Sequence, residues 1–179
     1  MEPTALYGLT ACFGLSTITM GTTVTVTLTN AVGYAIRGKA YITTASGANA
    51  AVTSFFDPNT GLAPVGLGPG KGCIFIACVT STGTAATMRF VQSEIVNLQA
   101  NSAAYTAGAF QDNPEFPGIP SDLCPIGYFV VKVATDYTAG GTHIFGTTSV
   151  ATGAMNSAAT AYSVTATSVC MLPDRPQSA

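Results

Sequence analysis

The sequence predicts an all-β chain, a single-domain antiparallel β-sandwich or barrel with long Gly/Pro-rich loops and an N-terminal arm. Three observations predict it. Apolar and hydroxyl residues alternate at period two, β-branched residues abound between turn signals spaced about ten residues apart, and no stretch combines helical periodicity with good helix formers. The chain has 179 residues, enough for one domain with a sizeable core. The expected division is an arm at 1–21, a β domain at 22–172 and a polar tail at 173–179.

The arm, Ala5 to Leu15, is apolar, but Gly8 and Gly14 spoil it as a helix. From Thr22 the alternation is strict, with Val24, Val26 and Leu28 facing a core and Thr23, Thr25, Thr27 and Thr29 facing away. A turn at Asn30–Gly33 then leads into one returning strand, Tyr34 to Thr44, which closes a hairpin. A brief strand at Val52–Phe56 precedes a linker, Asp57 to Gly72, in which Gly and Pro leave no regular element. Cys73–Thr80 and Thr84–Val91 read as two strands around Ser81-Thr82-Gly83, and Gln92–Gln99 as an extension of the second. A Pro-rich loop, Asp112 to Pro125, leads into Gly127–Val133, whose near-continuous apolarity predicts a central strand buried on both faces. His143-Ile144-Phe145, a small-residue stretch around Met155 and a last alternating strand from Tyr162 to Met171 complete the chain. The expected core contains Val24, Val26, Leu28, Ile74, Ile76, Phe129, Val131, Val133 and Val164.

Charge is the most informative composition. Hydrophobic residues make up 47%, but Asp, Glu, Lys and Arg only 8%, against roughly 25% in ordinary domains. Six basic and eight acidic residues must serve a surface of roughly 8,000 Å², so most of it is Thr, Ser, Ala, Gly, Asn or apolar. Charge depletion typifies interface cores, so much of the exterior is expected to be covered by copies of the chain or by partners, with a neutral, Thr-coated monomer as the alternative. The net charge of −2 and the scattered basic residues give nucleic acid nothing to grip. No apolar run approaches the length of a membrane helix, and the first basic residue is Arg37, so synthesis in a cytoplasm without Sec-type export is expected.

Candidate chemistry is sparse. Five cysteines (Cys12, Cys73, Cys78, Cys124, Cys170) show no Cys-x-x-Cys spacing, and Cys73 and Cys78, five apart on one strand, point to opposite faces. They read as buried free thiols. Gly66 to Gly72 fails as a phosphate loop, because Gly-Lys is followed by Gly72 and then a strand, where Ser or Thr and a helix are needed. His143 is the single histidine, with Asp136 its weak candidate partner, and no Gly-x-Ser-x-Gly elbow occurs. Asp112, Glu115 and Asp122 share one loop and read as solvated turn carboxylates rather than a glycosidase pair. No catalytic residue, cofactor or metal site is therefore expected. The Thr23–Thr29 face admits one alternative, a hydroxyl lattice for ice or a polysaccharide, which an extracellular adhesive β protein would use.

Phe116-Pro117-Gly118-Ile119-Pro120-Ser121-Asp122-Leu123-Cys124-Pro125-Ile126-Gly127-Tyr128-Phe129-Val130-Val131-Lys132, followed by Ile144-Phe145-Gly146-Thr147-Thr148, resembles tailed-bacteriophage virion proteins. The stretch from Gly72 to Gly83 fits the same layout, so the resemblance covers residues 72–150. It implies a head decoration, cement or fibre-base protein, often trimeric and without enzyme activity, whose partner is the major capsid protein or another virion protein and whose place is the virion. Apolar side chains on irregular, Gly-rich backbone are hard to bury in one's own sheet. Leu6, Tyr7, Leu9 and Phe13 of the arm and Leu62, Val65 and Leu67 of the Gly/Pro linker are thus the expected contacts of a homo-oligomer, with a trimer favoured.

Overall fold

The structure is a computed structural model that describes residues 10–15, 17–20, 25–43, 49–51, 61–62, 65–82, 88–103, 106–135, 144–145, 154–155 and 162–168. These are all-β, without a helix among the described residues. The strands are β1 (Ala11–Cys12), β2 (Ile18–Met20), β3 (Thr25–Leu28), β4 (Gly33–Ile36), β5 (Lys39–Ile42), β6 (Asn49–Ala51), β7 (Lys71–Val79), β8 (Arg89–Gln92), β9 (Val96–Asn97), β10 (Cys124–Val133), β11 (Ile144–Phe145), β12 (Ala154–Met155) and β13 (Tyr162–Ser168). They form a five-stranded sheet in the order β13-β10-β7-β8, with β9 also on β7, and two three-stranded sheets, β1-β4-β5 and β2-β3-β6. All three are antiparallel, and β11 and β12 make a separate parallel pair.

The long strands β7 and β10 lie side by side at the centre, and both are buried almost throughout. Alternation splits their side chains into two sets. Cys73, Phe75, Ala77, Val79, Phe129, Val131 and Val133 enter the main core cluster, together with Cys12, Ile18, Val26, Leu28, Tyr34 and Ile36 from β1 to β4. Ile74, Ile76, Tyr128 and Val130 face the other way. There the loop before β10 covers them, through Phe116, Ile119 and Leu123, and Phe116 meets Tyr128 edge-on at 5.2 Å. A strand apolar on both faces needs a second cover, and here the Pro-rich loop provides it. Cys73 and Cys78 do fall in different clusters, as their spacing predicts. The expected core residues Val26, Leu28, Ile74, Ile76, Phe129, Val131 and Val133 are buried. Val24 and the side chain of Val164 lie outside the described residues, although Val164 falls opposite Val131 in the register.

Three sequence expectations are corrected. Tyr34 to Thr44 is not one strand: the chain reverses at Arg37-Gly38, both with positive φ, and β4 pairs with β5. β3 therefore pairs not with this segment but with β2 and β6, because the turn at Arg37 uses up the apolar run in its own hairpin. The stretch expected as the end of an arm contributes β1 and β2, with Cys12 and Ile18 in the core. The expected strand at Val52–Phe56 lies outside the described residues.

Gln92–Gln99 continues along β7 only after a break, since Ser93 interrupts the ladder between β8 and β9. The Ser93 backbone N–H donates to Ile74 O at 2.8 Å, and its Oγ accepts from Ile74 N at 2.9 Å while donating to Glu94 O. The hydroxyl takes the place of a strand carbonyl. Ser93→Ala leaves the buried Ile74 N–H without an acceptor, and a loss of about 1–3 kcal/mol in urea unfolding is expected. A midpoint equal to that of the parent chain rules this account out.

Candidate functional site

With charge scarce, the exposed apolar side chains are the candidate functional surface. In the β1-β4-β5 sheet, Cys12 faces Tyr34 and Tyr34 faces Tyr41, and this set points to the core, the two tyrosine rings stacking at 5.5 Å. Alternation leaves two rows on the opposite face, Ala11-Ala35-Ala40 and Phe13-Gly33-Ile42. Phe13 N donates to Gly33 O at 2.8 Å and so prolongs the pairing of β1 by one position. The Phe13 ring lies over Gly33, where a Cβ would stand in ordinary contact, 3.8 Å from Phe13 Cδ2. Phe13 is 60% and Ile42 66% exposed, and Leu15, two residues on, is also exposed. Neither row contains a polar side chain.

The linker contributes a second patch, with Leu62 68% and Val65 65% exposed. The Gln92 side-chain amide holds it on the edge strand β8, since Val65 N donates to Gln92 Oε1 at 2.7 Å and Gln92 Nε2 donates to Val65 O at 2.8 Å. Phe13, Leu62 and Val65 thus lie at the surface on two different elements. Leu67, expected on an interface, is 1% exposed and belongs to the main core, where it joins the cluster that also holds Cys73, Phe75 and Val131. Leu6, Tyr7 and Leu9 lie outside the described residues. Sequence reasoning missed Ile42. The signal was Arg37-Gly38: read as a turn, it places Ile42 two strands from Phe13 in the same row.

The groups that carry chemistry are dispersed. No group of three or more His, Cys, Asp or Glu is close enough to hold a metal ion among the described residues. His143, Asp136 and Cys170 lie outside them. Asp112, Glu115 and Asp122 are exposed, and β7, not a helix, follows the Gly66–Gly70 stretch. Among the described residues no helix is long and apolar enough to cross a membrane.

Cys12, Cys73, Cys78 and Cys124 are buried thiols, none of them in a disulfide. Burial pushes the Cys73 thiol up to about 12, against a smaller downward pull from the Gln92 amide, and burial with the neighbouring Cys12 raises Cys124 to about 12. Cys78 is also raised, by burial first and Cys124 second. In the unfolded chain these thiols ionise near 9.0, so above that pH the folded state binds more protons than the unfolded one. Their contribution is complete below pH 9 and is lost as pH rises from 9 towards 12. Lys132, buried beneath Phe110 with Nζ 4.9 Å from the ring centre, is lowered by burial and has the opposite sign, one group against three. The expected result is a urea midpoint that falls steadily above about pH 9. Peptide mapping after iodoacetamide treatment should find the four buried thiols unmodified in the folded protein and alkylated in denaturant.

Set beside protein-family models, curated proteins and solved structures, the chain matches none, so its surface chemistry carries the functional argument.

Proposed function

We propose that this chain is a non-enzymatic structural component of a bacteriophage virion, a capsid cement or decoration protein that stabilises the head by binding the major capsid protein. It acts as a homo-oligomer, with a trimer favoured, and is built as a single-domain β-sandwich. The observation that carries the assembly role is the apolar outer face of the β1-β4-β5 sheet, with Phe13 and Ile42 exposed in one row of a chain with only 8% charged residues. The virion setting is supported by the sequence resemblance, whose residues 72–83 and 116–132 include most of β7 and β10. The sandwich is supported by one core cluster that joins side chains of the five-stranded sheet with those of β1 to β4.

Mass spectrometry of purified particles should find the chain at a fixed ratio to the major capsid protein. Phe13→Asp with Ile42→Asp should abolish self-association in light scattering and binding to particles, while the far-ultraviolet spectrum stays that of a β protein. Deletion through Leu15 is not a clean test, because it removes β1 and Cys12 from the core. Absence from particles, or unchanged association of the double variant, overturns the proposal.

One observation favours the second reading, an extracellular adhesive or ice- or glycan-binding β protein. β2 sets Thr19 opposite Thr27, and Thr29 N donates to Thr17 O at 3.0 Å, so a second threonine run lies alongside the first. Thr17, Thr19 and Thr29 are exposed. Thermal hysteresis, or retention on crystalline polysaccharide, supports that reading against the first.

A further inference from the structure

A cavity of ≈ 380 Å³ opens where the tip of the β4–β5 hairpin, the residues after β7 and the Ser121-Asp122 turn before β10 converge. Arg37, Lys39, Tyr41, Thr80, Ser81 and Asp122 line it. Its base is fixed from the core side, since Tyr34 OH donates to Thr80 O at 2.6 Å and Arg37 N donates to Thr10 Oγ1 at 3.2 Å.

One feature of this cavity is costly for the fold alone, and a second is unusual in so weakly charged a chain. The two-residue turn needs positive φ at both positions, and such turns favour Asn-Gly; this chain places Arg37 at φ 50 before Gly38 at φ 77. A long side chain held in the left-handed region is strained, and strain of this kind concentrates at functional sites. Two of only six basic residues also meet here, beside a carboxylate. Both turn to neutral groups: Arg37 Nη2 donates to Ser121 Oγ, and Lys39 Nζ lies 5.6 Å from the centre of the Tyr41 ring.

We propose that this cavity binds a carboxylated sugar, a uronic- or sialic-acid unit. The formal charge of Arg37, Lys39 and Asp122 together is +1, which suits a monoanion better than a phosphate dianion. The guanidinium fork matches the two oxygens of a carboxylate, and Lys39 adds a second positive charge. Asp122 accepts from sugar hydroxyls, and the exposed Ser81 hydroxyl both donates and accepts. The volume falls within the usual range of small-ligand sites, of roughly 300–1,000 Å³. A bare acidic peptide side chain matches the cations but supplies no hydroxyls for Asp122. The site goes beyond the assembly role and does not depend on it.

The test is titration of the full chain, followed by amide chemical shifts, with galacturonate and N-acetylneuraminate, and in parallel with galactose, inorganic phosphate and triglutamate. Saturable binding of at least one acidic sugar is expected, with shifts centred on residues 36–41, 80–81 and 121–122, and at least about tenfold weaker binding by the other three probes. Arg37→Asn should weaken acidic-sugar binding by at least about tenfold while holding or raising the melting temperature, because Asn is at home in this turn. Lys39→Gln, in a position without backbone strain, should weaken it as well. The proposal is overturned if neither acidic sugar saturates, if phosphate or triglutamate binds as well, or if the Arg37→Asn protein binds unchanged.

Discussion

Gly127→Val is expected to remove a large part of the chain's folding free energy. Gly127 sits where β10 begins its pairing with β13, opposite Ser168, and just after the irregularity that sets Ile126 outside the β7 register. A Cβ at this position would collide with Ile18 Cδ1 and lie 2.6 Å from Thr167 O. The isoleucine end can rotate away, but the carbonyl belongs to the backbone of the neighbouring strand and moves only if β13 moves. Overpacking of a flexible site costs about 1–3 kcal/mol; with backbone as the obstacle a cost of about 3 kcal/mol or more is expected, a large part of a total of roughly 5–15 kcal/mol. Urea unfolding followed by far-ultraviolet circular dichroism measures it, and Gly127→Ala should give a smaller loss of the same kind. A valine variant with the parent's midpoint and slope would falsify this packing.

Phe129→Ala should cost about 3–5 kcal/mol. Phe129 is buried at the centre of β10, opposite Phe75 on one side and Ala166 on the other, and its ring lies 6.0 Å from that of Phe90. On the β7 side the neighbouring strand is held by its own ladders with β8 and β9, so it cannot close over the gap. Truncation of Phe13, which is 60% exposed, should by contrast change stability by less than about 0.5 kcal/mol while changing association. Equal destabilisation by the two truncations would contradict the assignment of one to the core and the other to the surface.

The sequence made the faces of strands legible more readily than their neighbours. Alternation identified Val26 and Leu28 as inward, and the unbroken apolarity of Tyr128 to Val131 identified a strand buried on both faces. Neither pattern says which strand lies alongside, and pairing is where the reading failed. Arg37-Gly38 is a turn only because Arg accepts a conformation that Asn or Gly accepts more easily, so composition gave it no weight. Strands as short as Ala11–Cys12 and Ile18–Met20 contain too few residues for a period to show. The candidate surface was legible in part for the same reason. Phe13, Leu62 and Val65 stand out as apolar residues on irregular backbone, whereas Ile42 joins Phe13 only through the register of β4 with both its neighbours, and Leu67 looked as exposed as Leu62.

The pairing of β7 with β10 also governs how the chain reaches this state. Residues 80–123 lie between the two strands, and closing a loop of that length costs about 3 kcal/mol of chain entropy before the first contact forms. The β7–β8 hairpin is local and closes a much shorter loop at a lower entropic cost, so it is able to form early. In that interval β7 presents apolar side chains on both faces, with neither β10 nor the 110–123 loop yet in place to cover Ile74 and Ile76. An unpaired strand edge flanked by two sticky faces is a template for another chain in the same condition. Productive folding is first order in chain and this encounter is second order, so dilution, slow synthesis or prompt capture by a partner favours the native fold over the aggregate.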